Sequence, residues 1–300
     1  MNNTKSSIAV IGAGKWGQAL HFALSQKQKC LISSRTPRDI ENFVDLRTAL
    51  ECEYLIIAIP AQEIRQWLKN NFVNKNQKIL VASKGIEASS GEFLNEIYSE
   101  YVEDKNIAFI SGPSFAAEVI QGLPCALVLN SSSKKLYNEF KVFFPKFIKT
   151  YYSSDVIGAE VAGAYKNVLA IASGICEGLN LGKNAQASLI SRGLVEMHRF
   201  GKHFGAKKSS FLGLSGAGDL FLTASSTMSR NYRVGLGLAS NKSLETILKE
   251  LGEVAEGVKT SEAIFNLSKE HNIYTPIANE VKLVLDGKDP VNSLKDLLTS

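Results

Sequence analysis

The sequence predicts an α/β chain: a doubly wound parallel sheet over residues 1–153, then an all-α domain over residues 154–300. Three observations carry that expectation. Short, continuous apolar runs alternate with helical patterns through the first half, as in sheets whose two faces are both covered by helices. From about Asp155 the strand-like runs cease and long helical stretches take over. The length, 300 residues, suits about two domains with substantial cores.

In chain order, strands are expected at residues 8–11, 29–33, 54–59, 78–82, 107–111 and 126–129. Helices are expected between them at 16–25, 61–70 and 91–101, and in the second half at 156–179, 185–204 and 244–251. The boundary falls near Ser153, and Ser131-Ser132-Ser133 reads as a polar turn. The turns that could carry chemistry follow predicted strands: Gly12–Gly17, Ile59-Pro60-Ala61, Ser83-Lys84-Gly85 and Ser111-Gly112-Pro113-Ser114. Ligands of a doubly wound sheet sit outside the carboxyl ends of its strands, so these turns share one rim.

The first turn is the most specific. An apolar strand, IAVI, runs into Gly12-Ala13-Gly14-Lys15-Trp16-Gly17 and then a helix. In a dinucleotide-binding, Rossmann-like unit the first glycine makes the tight turn and the second admits the pyrophosphate. The third lets helix and strand pack closely, and the helix N-terminus faces the anion. Arg35 follows the second strand, where NAD-selective units usually place an acid for the ribose hydroxyls. A cation there suits a 2′-phosphate, which favours NADP(H) over NAD(H); an ordinary solvated arginine is the other reading.

The net charge of +5 is dispersed rather than gathered in blocks. That argues against nucleic acid as the partner and is compatible with a small anionic substrate. Cys30, Cys52, Cys125 and Cys176 are far apart, without CxxC or metal-ligand spacing, and read as reduced, mostly buried thiols. The opening MNNTKSS lacks a leader's apolar stretch, and no run approaches the ~18 apolar residues that span a bilayer. A cytoplasmic location is the expectation. The histidines form no site by spacing, since His198 and His203 miss the i, i+4 face of a zinc helix. No metal is expected.

The helical half holds three candidates. Lys166 lies among Gly163, Ala164, Ala170 and Ala172, small residues that let another element or a ligand approach closely. Burial there would depress its pKa toward the range useful for proton transfer; alternatively it points to solvent from one helix face. Leu214-Ser-Gly216-Ala-Gly218-Asp219 suggests a tight turn presenting Asp219, and a carboxylate near Lys166 would hold or orient its ammonium; alternatively Asp219 caps the following helix. Ser229-Arg230-Asn231 offers a planar fork and neutral donors suited to phosphate, or is simply a polar helix start. Lys84 would add a cation at the strand-end rim.

The combination resembles the bacterial NAD(P)-dependent glycerol-3-phosphate dehydrogenases over essentially the whole length. The matching segments stand in family order: IGAGKWGQAL, ASKGIE at 82–87, SGPSFAAEV at 111–119, AYKNVLAIASGICEGL at 164–179, LSGAGDL at 214–220, SRN at 229–231 and GEVAEGVKT at 252–260. The resemblance implies interconversion of dihydroxyacetone phosphate and sn-glycerol 3-phosphate, the latter supplied for phospholipid synthesis, and a homodimer. It implies that Lys166 gives and takes the proton, with Asp219 beside it in the catalytic set. It implies substrate contacts at Lys84, Gly112, Ser114, Asp219, Ser229, Arg230 and Asn231. Cofactor contacts are implied at Trp16, Arg35, Lys84, Ala116, Arg230, Val254 and Glu256, alongside Gly12, Gly14 and Gly17. Two departures stand out. Lys15 takes a position where the family often has a small residue, and the segment from Arg35 to Tyr54 is shorter than is typical, which touches the adenine side of the pocket.

Two rival functions remain open on sequence alone. One is another two-domain NAD(P)-dependent dehydrogenase, acting on a hydroxy acid or a sugar. The other is a non-catalytic nucleotide-binding redox sensor, which would need neither a proton donor nor a phosphate pocket.

Overall fold

The computed structural model describes residues 7–299. The chain divides into two compact units. The first takes in the chain up to Ser83 and Asn95–Val156; the second comprises Lys84–Leu94 and everything from Ile157 onward. The expected signal-free start and the last residue of the tail, Ser300, lie outside the described residues.

The first unit runs β1 (Ile8–Ile11), α1 (Lys15–Ser25), β2 (Cys30–Ser33), a one-turn α2 (Leu46–Ala49), β3 (Tyr54–Ile57), α3 (Ile64–Asn71) and β4 (Lys78–Val81). It continues with α4 (Leu94–Ser99), β5 (Ile107–Ser111), α5 (Ala116–Val119), β6 (Cys125–Asn130), α6 (Lys134–Lys141) and β7 (Ile148–Ser153). The strands form one sheet in the order β2-β1-β3-β4-β5-β6-β7. The order reverses between β1 and β3, which opens a crevice at their carboxyl ends. Ile8, Val10, Ile32, Ile56, Leu80 and Ile110 share one core with Ala19, Leu20 and Leu24 of α1. Each fully buried Ile or Leu contributes about 1.5–3 kcal/mol, so the apolar stripe of α1 holds it to the sheet.

The sheet differs from the sequence reading in two ways. β6 pairs antiparallel with β5, placing Ile110 opposite Leu129; a buried apolar run has the same composition in either direction. β7, absent from the sequence reading, pairs parallel with β6 at the sheet edge. Its residues, IKTYYS, bury Ile148 and leave Lys149 and Tyr151 exposed, so it lacks the continuous apolar signature of an inner strand. The short link from β2 to β3 also has work to do. Ile32 N–H donates to Asn42 O (3.2 Å) and Val44 N–H to Ile32 O (2.9 Å), covering the outer edge of β2.

The second unit is helical: α7 (Val156–Gly178), α8 (Gly182–His203), α9 (Lys208–Leu212), a wide turn at Leu214–Gly218, α10 (Asp219–Ala224) and α11 (Arg230–Ala239). It ends with α12 (Leu244–Leu251), α13 (Glu256–Glu270), α14 (Pro276–Leu285) and α15 (Pro290–Thr299). α7 is buried on nearly every side from Gly158 to Gly174, as an all-round apolar helix must be. α11 crosses it backbone to backbone: a Cβ on Gly235 would lie 2.1 Å from Ile171 O, and one on Gly174 2.1 Å from Tyr232 O. Of the small residues anticipated on α7, Gly163 faces the Lys84 side chain, and the close contact with α11 falls at Gly174 instead.

The helix expected at 91–101 starts only at Leu94. Before it, Ile86 and Phe93 form an antiparallel bridge and bury themselves in the core of the helical unit. That hairpin is why Lys84–Leu94 groups with the second unit although it follows β4 in the chain.

Candidate active site

The β1–α1 turn has the geometry of a phosphate cradle. Gly12 has φ +107°, and a Cβ there would sit 2.4 Å from Ala58 O; a Cβ on Gly17 would sit 1.8 Å from Gly12 O. Only glycine fits either place. Gly14, by contrast, has open space around its Cβ position and is the N-cap of α1, with no side chain capping the first turn. The positive end of α1 faces this open space, a setting that suits an anion. Trp16 adds a buried indole N–H that finds no hydrogen-bond partner among the described residues. These features fit a dinucleotide pyrophosphate.

The rest of the predicted set in this unit flanks the same rim. Ala116 opens α5, which packs against α1. Gly112 has φ +110° at the end of β5, and Ser114 Oγ donates to Gly112 O (3.1 Å). Arg35 stands exposed just after β2.

In the second unit, three predicted residues form a buried charge cluster. Asp219, at the start of α10, accepts from Lys84 Nζ through Oδ2 (2.8 Å) and lies 3.3 Å from Lys166 Nζ through Oδ1. The wide turn before it is a π-type turn closed by Gly218 N–H to Gly213 O (3.1 Å), a distortion common at functional sites. Asp219 is not the helix cap the sequence allowed; Gly218 takes that position, so the carboxylate is free to serve the lysines. Lys84 reaches it by lying along α7 at Gly163, where a Cβ would be 3.5 Å from Lys84 Cγ.

Lys166 is buried, not on a solvent face. Burial pushes its ammonium down; Asp219 raises it and Lys84 lowers it, and the outcome is about 8. Burial alone would raise the Asp219 carboxyl, but Lys166 and Lys84 outweigh it and hold the group below the usual carboxylate range. Sequence reasoning missed Thr223. Its Oγ1 accepts from Lys166 Nζ (3.0 Å) and donates to Asp219 O (2.6 Å). The i, i+4 spacing from Asp219 on α10 was the available signal.

The SRN segment opens α11. Ser229 is the N-cap of α11, accepting from Tyr232 N–H (3.3 Å). Asn231 Oδ1 accepts from Gly257 N–H (3.0 Å), tying α11 to α13. Arg230 reaches out to Glu253, 3.5 Å away. Val254 and Glu256 lie just beyond the left-handed Gly252 that ends α12, Val254 exposed and Glu256 opening α13. Among the described residues, no three His, Cys, Asp or Glu side chains gather into a metal site. The four cysteines form no disulfide among the described residues; burial pushes Cys30 up to about 12 and raises Cys125 and Cys176.

A doubly wound sheet with a phosphate-ready glycine turn, joined to helices that hold a lysine near pKa 8, defines a two-domain pyridine-nucleotide oxidoreductase. The chain belongs to the NAD-dependent glycerol-3-phosphate dehydrogenase family. The model of that family's N-terminus matches residues 25–137, and that of its C-terminus residues 155–296. The chain is 64% identical over 295 residues to a Sulfurimonas denitrificans protein named glycerol-3-phosphate dehydrogenase (NAD(P)+), covering 98% of this chain and 100% of that one. A Campylobacter jejuni protein of the same name is 62% identical over 291 residues, covering 97% and 98%. The crystal structure of glycerol-3-phosphate dehydrogenase from Coxiella burnetii superposes with a TM-score of 0.90 at 32% identity, covering 98% of each chain.

The glycine turn yields a direct test. Gly14→Asp has room in the fold but places a carboxylate where the cofactor phosphates belong. Melting should stay close to wild type while the Kd for NAD(P)H, from fluorescence titration, rises at least about tenfold, the equivalent of about 1.4 kcal/mol. Unchanged affinity would remove the turn from the cofactor site.

Proposed function

We propose that this enzyme interconverts dihydroxyacetone phosphate and sn-glycerol 3-phosphate, with Lys166 carrying the proton and the glycine turn of the first unit holding NAD(P)(H). The observation that supports it most is the Lys84–Asp219–Lys166 cluster. A buried ammonium, Lys166, and a half-buried one, Lys84, share one carboxylate, so the cluster carries a net positive charge suited to an anionic substrate whose oxygen takes or loses a proton. The names and identities of the relatives point to the same reaction.

A bound nicotinamide supplies or receives the hydride at C2 of the substrate. Lys166 Nζ gives its proton to the C2 oxygen during reduction and takes it back during oxidation. Asp219 keeps that ammonium in place, and Thr223 directs it through the 3.0 Å contact. Ser229, Arg230 and Asn231, with Lys84, Gly112 and Ser114, are the proposed phosphate and glycerol contacts; Trp16, Arg35, Ala116, Val254 and Glu256 are the further cofactor contacts. Arg230 must leave Glu253 or share itself to meet a phosphate. The two compact units are the proposed cofactor and substrate domains, with the sequence boundary at Ser153 and Lys84–Leu94 working with the second.

The rivals fare less well. A dehydrogenase with a cysteine nucleophile would need an activated thiol, and burial holds Cys176 above the ordinary thiol range. A sensor without turnover has no use for a buried lysine poised near pH 8. The reading extends to NADP(H) as the favoured cofactor, through the exposed Arg35, and to a homodimer acting in the cytoplasm to supply glycerol 3-phosphate for lipid synthesis. Among the described residues, no helix is long and apolar enough to cross a membrane.

NADPH oxidation with dihydroxyacetone phosphate, set against a panel of keto acids and repeated with NADH, tests the reaction; no turnover with the triose phosphate overturns it. Lys166→Ala should lower kcat by about 10²–10⁴-fold. The pH dependence follows from the sign of proton transfer. Reduction needs the ammonium, so its rate should fall as pH rises through about 8, and oxidation should rise through the same range. Near wild-type turnover in Lys166→Ala removes the assignment. Arg35→Ala should raise KM for NADPH about tenfold or more, as expected for a lost charge-assisted bond, and leave KM for NADH nearly unchanged. Equal effects on both would take Arg35 off the 2′-phosphate.

A further inference from the structure

Glu196, on α8, is 2% exposed and belongs to none of the roles above. Its carboxylate is fully engaged: Oε1 accepts from Tyr165 Oη (2.8 Å) and Ala278 N–H (2.9 Å), and Oε2 from Ile277 N–H (2.9 Å). One side chain thus joins α7 and α8 to the first turn of α14. A buried carboxylate is costly unless satisfied in this way. A helix start can be capped by a serine or threonine without that cost.

What the carboxylate holds is the residue immediately before Lys166. Three consecutive residues of α7 meet four other helices. Tyr165 is tied to α8 and α14, Lys166 to α10, and the Asn167 carbonyl packs against Gly257 of α13, where a Cβ would lie 2.8 Å from it. The close crossing of α11 falls at Gly174, about two turns beyond Lys166, and the turn at Lys166 itself is surrounded mostly by apolar side chains, which set its rotation less sharply than directional bonds do. A lysine Nζ stands about 6 Å from the axis of its helix, so a rotation of roughly 10° would carry it about 1 Å. A displacement of that size costs about 10²-fold in a positioned reaction.

We propose that Glu196 and Tyr165 are positioning residues for Lys166: their hydrogen bond fixes the rotation of α7 and so the place of Lys166 Nζ against Asp219 and the substrate oxygen. The inference rests on the reading of Lys166 as the proton carrier. It assigns a reaction role to two residues that touch neither substrate nor cofactor.

The test is Tyr165→Phe, which removes one oxygen and keeps the ring, with Glu196→Gln as a second variant. Each is assayed for reduction of dihydroxyacetone phosphate by NADPH across pH, beside wild type and Lys166→Ala, with melting curves for all. Positioning predicts that kcat falls about 10- to 100-fold, while KM for both substrates stays within about threefold. It also predicts a displaced alkaline limb of the pH profile at temperatures where the variants are fully folded. A lower melting temperature with wild-type kcat and a wild-type limb would overturn the proposal, leaving the bond a purely structural tie. If Glu196→Gln fails to fold, Tyr165→Phe decides. Should Lys166→Ala be inactive while Tyr165→Phe behaves as wild type, the positioning role alone fails. An active Lys166→Ala would remove the proton-carrier reading and this inference with it.

Discussion

Two ammonium groups share a single buried carboxylate in the helical unit, and much of the second half of the chain is arranged to make that tolerable. An isolated buried charge would cost more than the protein's whole margin of stability. Removing one partner from such a cluster typically costs about 3–5 kcal/mol. Asp219 is therefore as necessary to the fold around Lys84 and Lys166 as it is to the chemistry proposed for them. The glycine-rich π-type turn delivers it to the start of α10, Gly163 gives Lys84 a path along α7, and Ser173 anchors the end of α10 by donating to Ala224 O (2.6 Å).

The same cluster explains how one lysine can work near neutral pH. Burial and Lys84 push Lys166 down, Asp219 pushes it back up, and the balance near 8 is the one the proposed proton transfer requires. A fully solvated lysine would remain protonated and would be a poor base. A lysine buried without the carboxylate would lose its proton and could not act as the acid. The three groups are a tuned set, and Thr223 adds direction to it.

Legibility in the sequence followed the range of the interactions. The β1–α1 turn is local, so IAVI and the three glycines disclosed its shape. The inner strands were equally plain, because continuous apolar runs are buried from both sides. β7 escaped, since an edge strand reading IKTYYS carries half its residues toward solvent, and the direction of β6 is not written in its composition. The Lys84–Leu94 hairpin could not be assigned to the helical unit from its position after β4. Its ties, such as Phe93 edge-on to Phe204 at 5.1 Å, join residues more than a hundred positions apart. Lys166 was conspicuous as a residue but ambiguous as a site, because whether a helix face is buried depends on partners distant in sequence. Ser229 was open in the same way, and its hydroxyl turned out to cap α11. Glu196 left no trace at all, since an acid on an amphipathic helix reads as a solvated one.

The central claim is that Asp219 sets the protonation of Lys166. The most direct measurement is the pH profile of kcat for triose phosphate reduction in Asp219→Asn, compared with wild type. Asp219 favours the ammonium, and Lys84 opposes it and stays in place, so the midpoint of the alkaline limb should move below the wild-type value near 8 as turnover drops. A midpoint that is unchanged or moves upward would contradict the account.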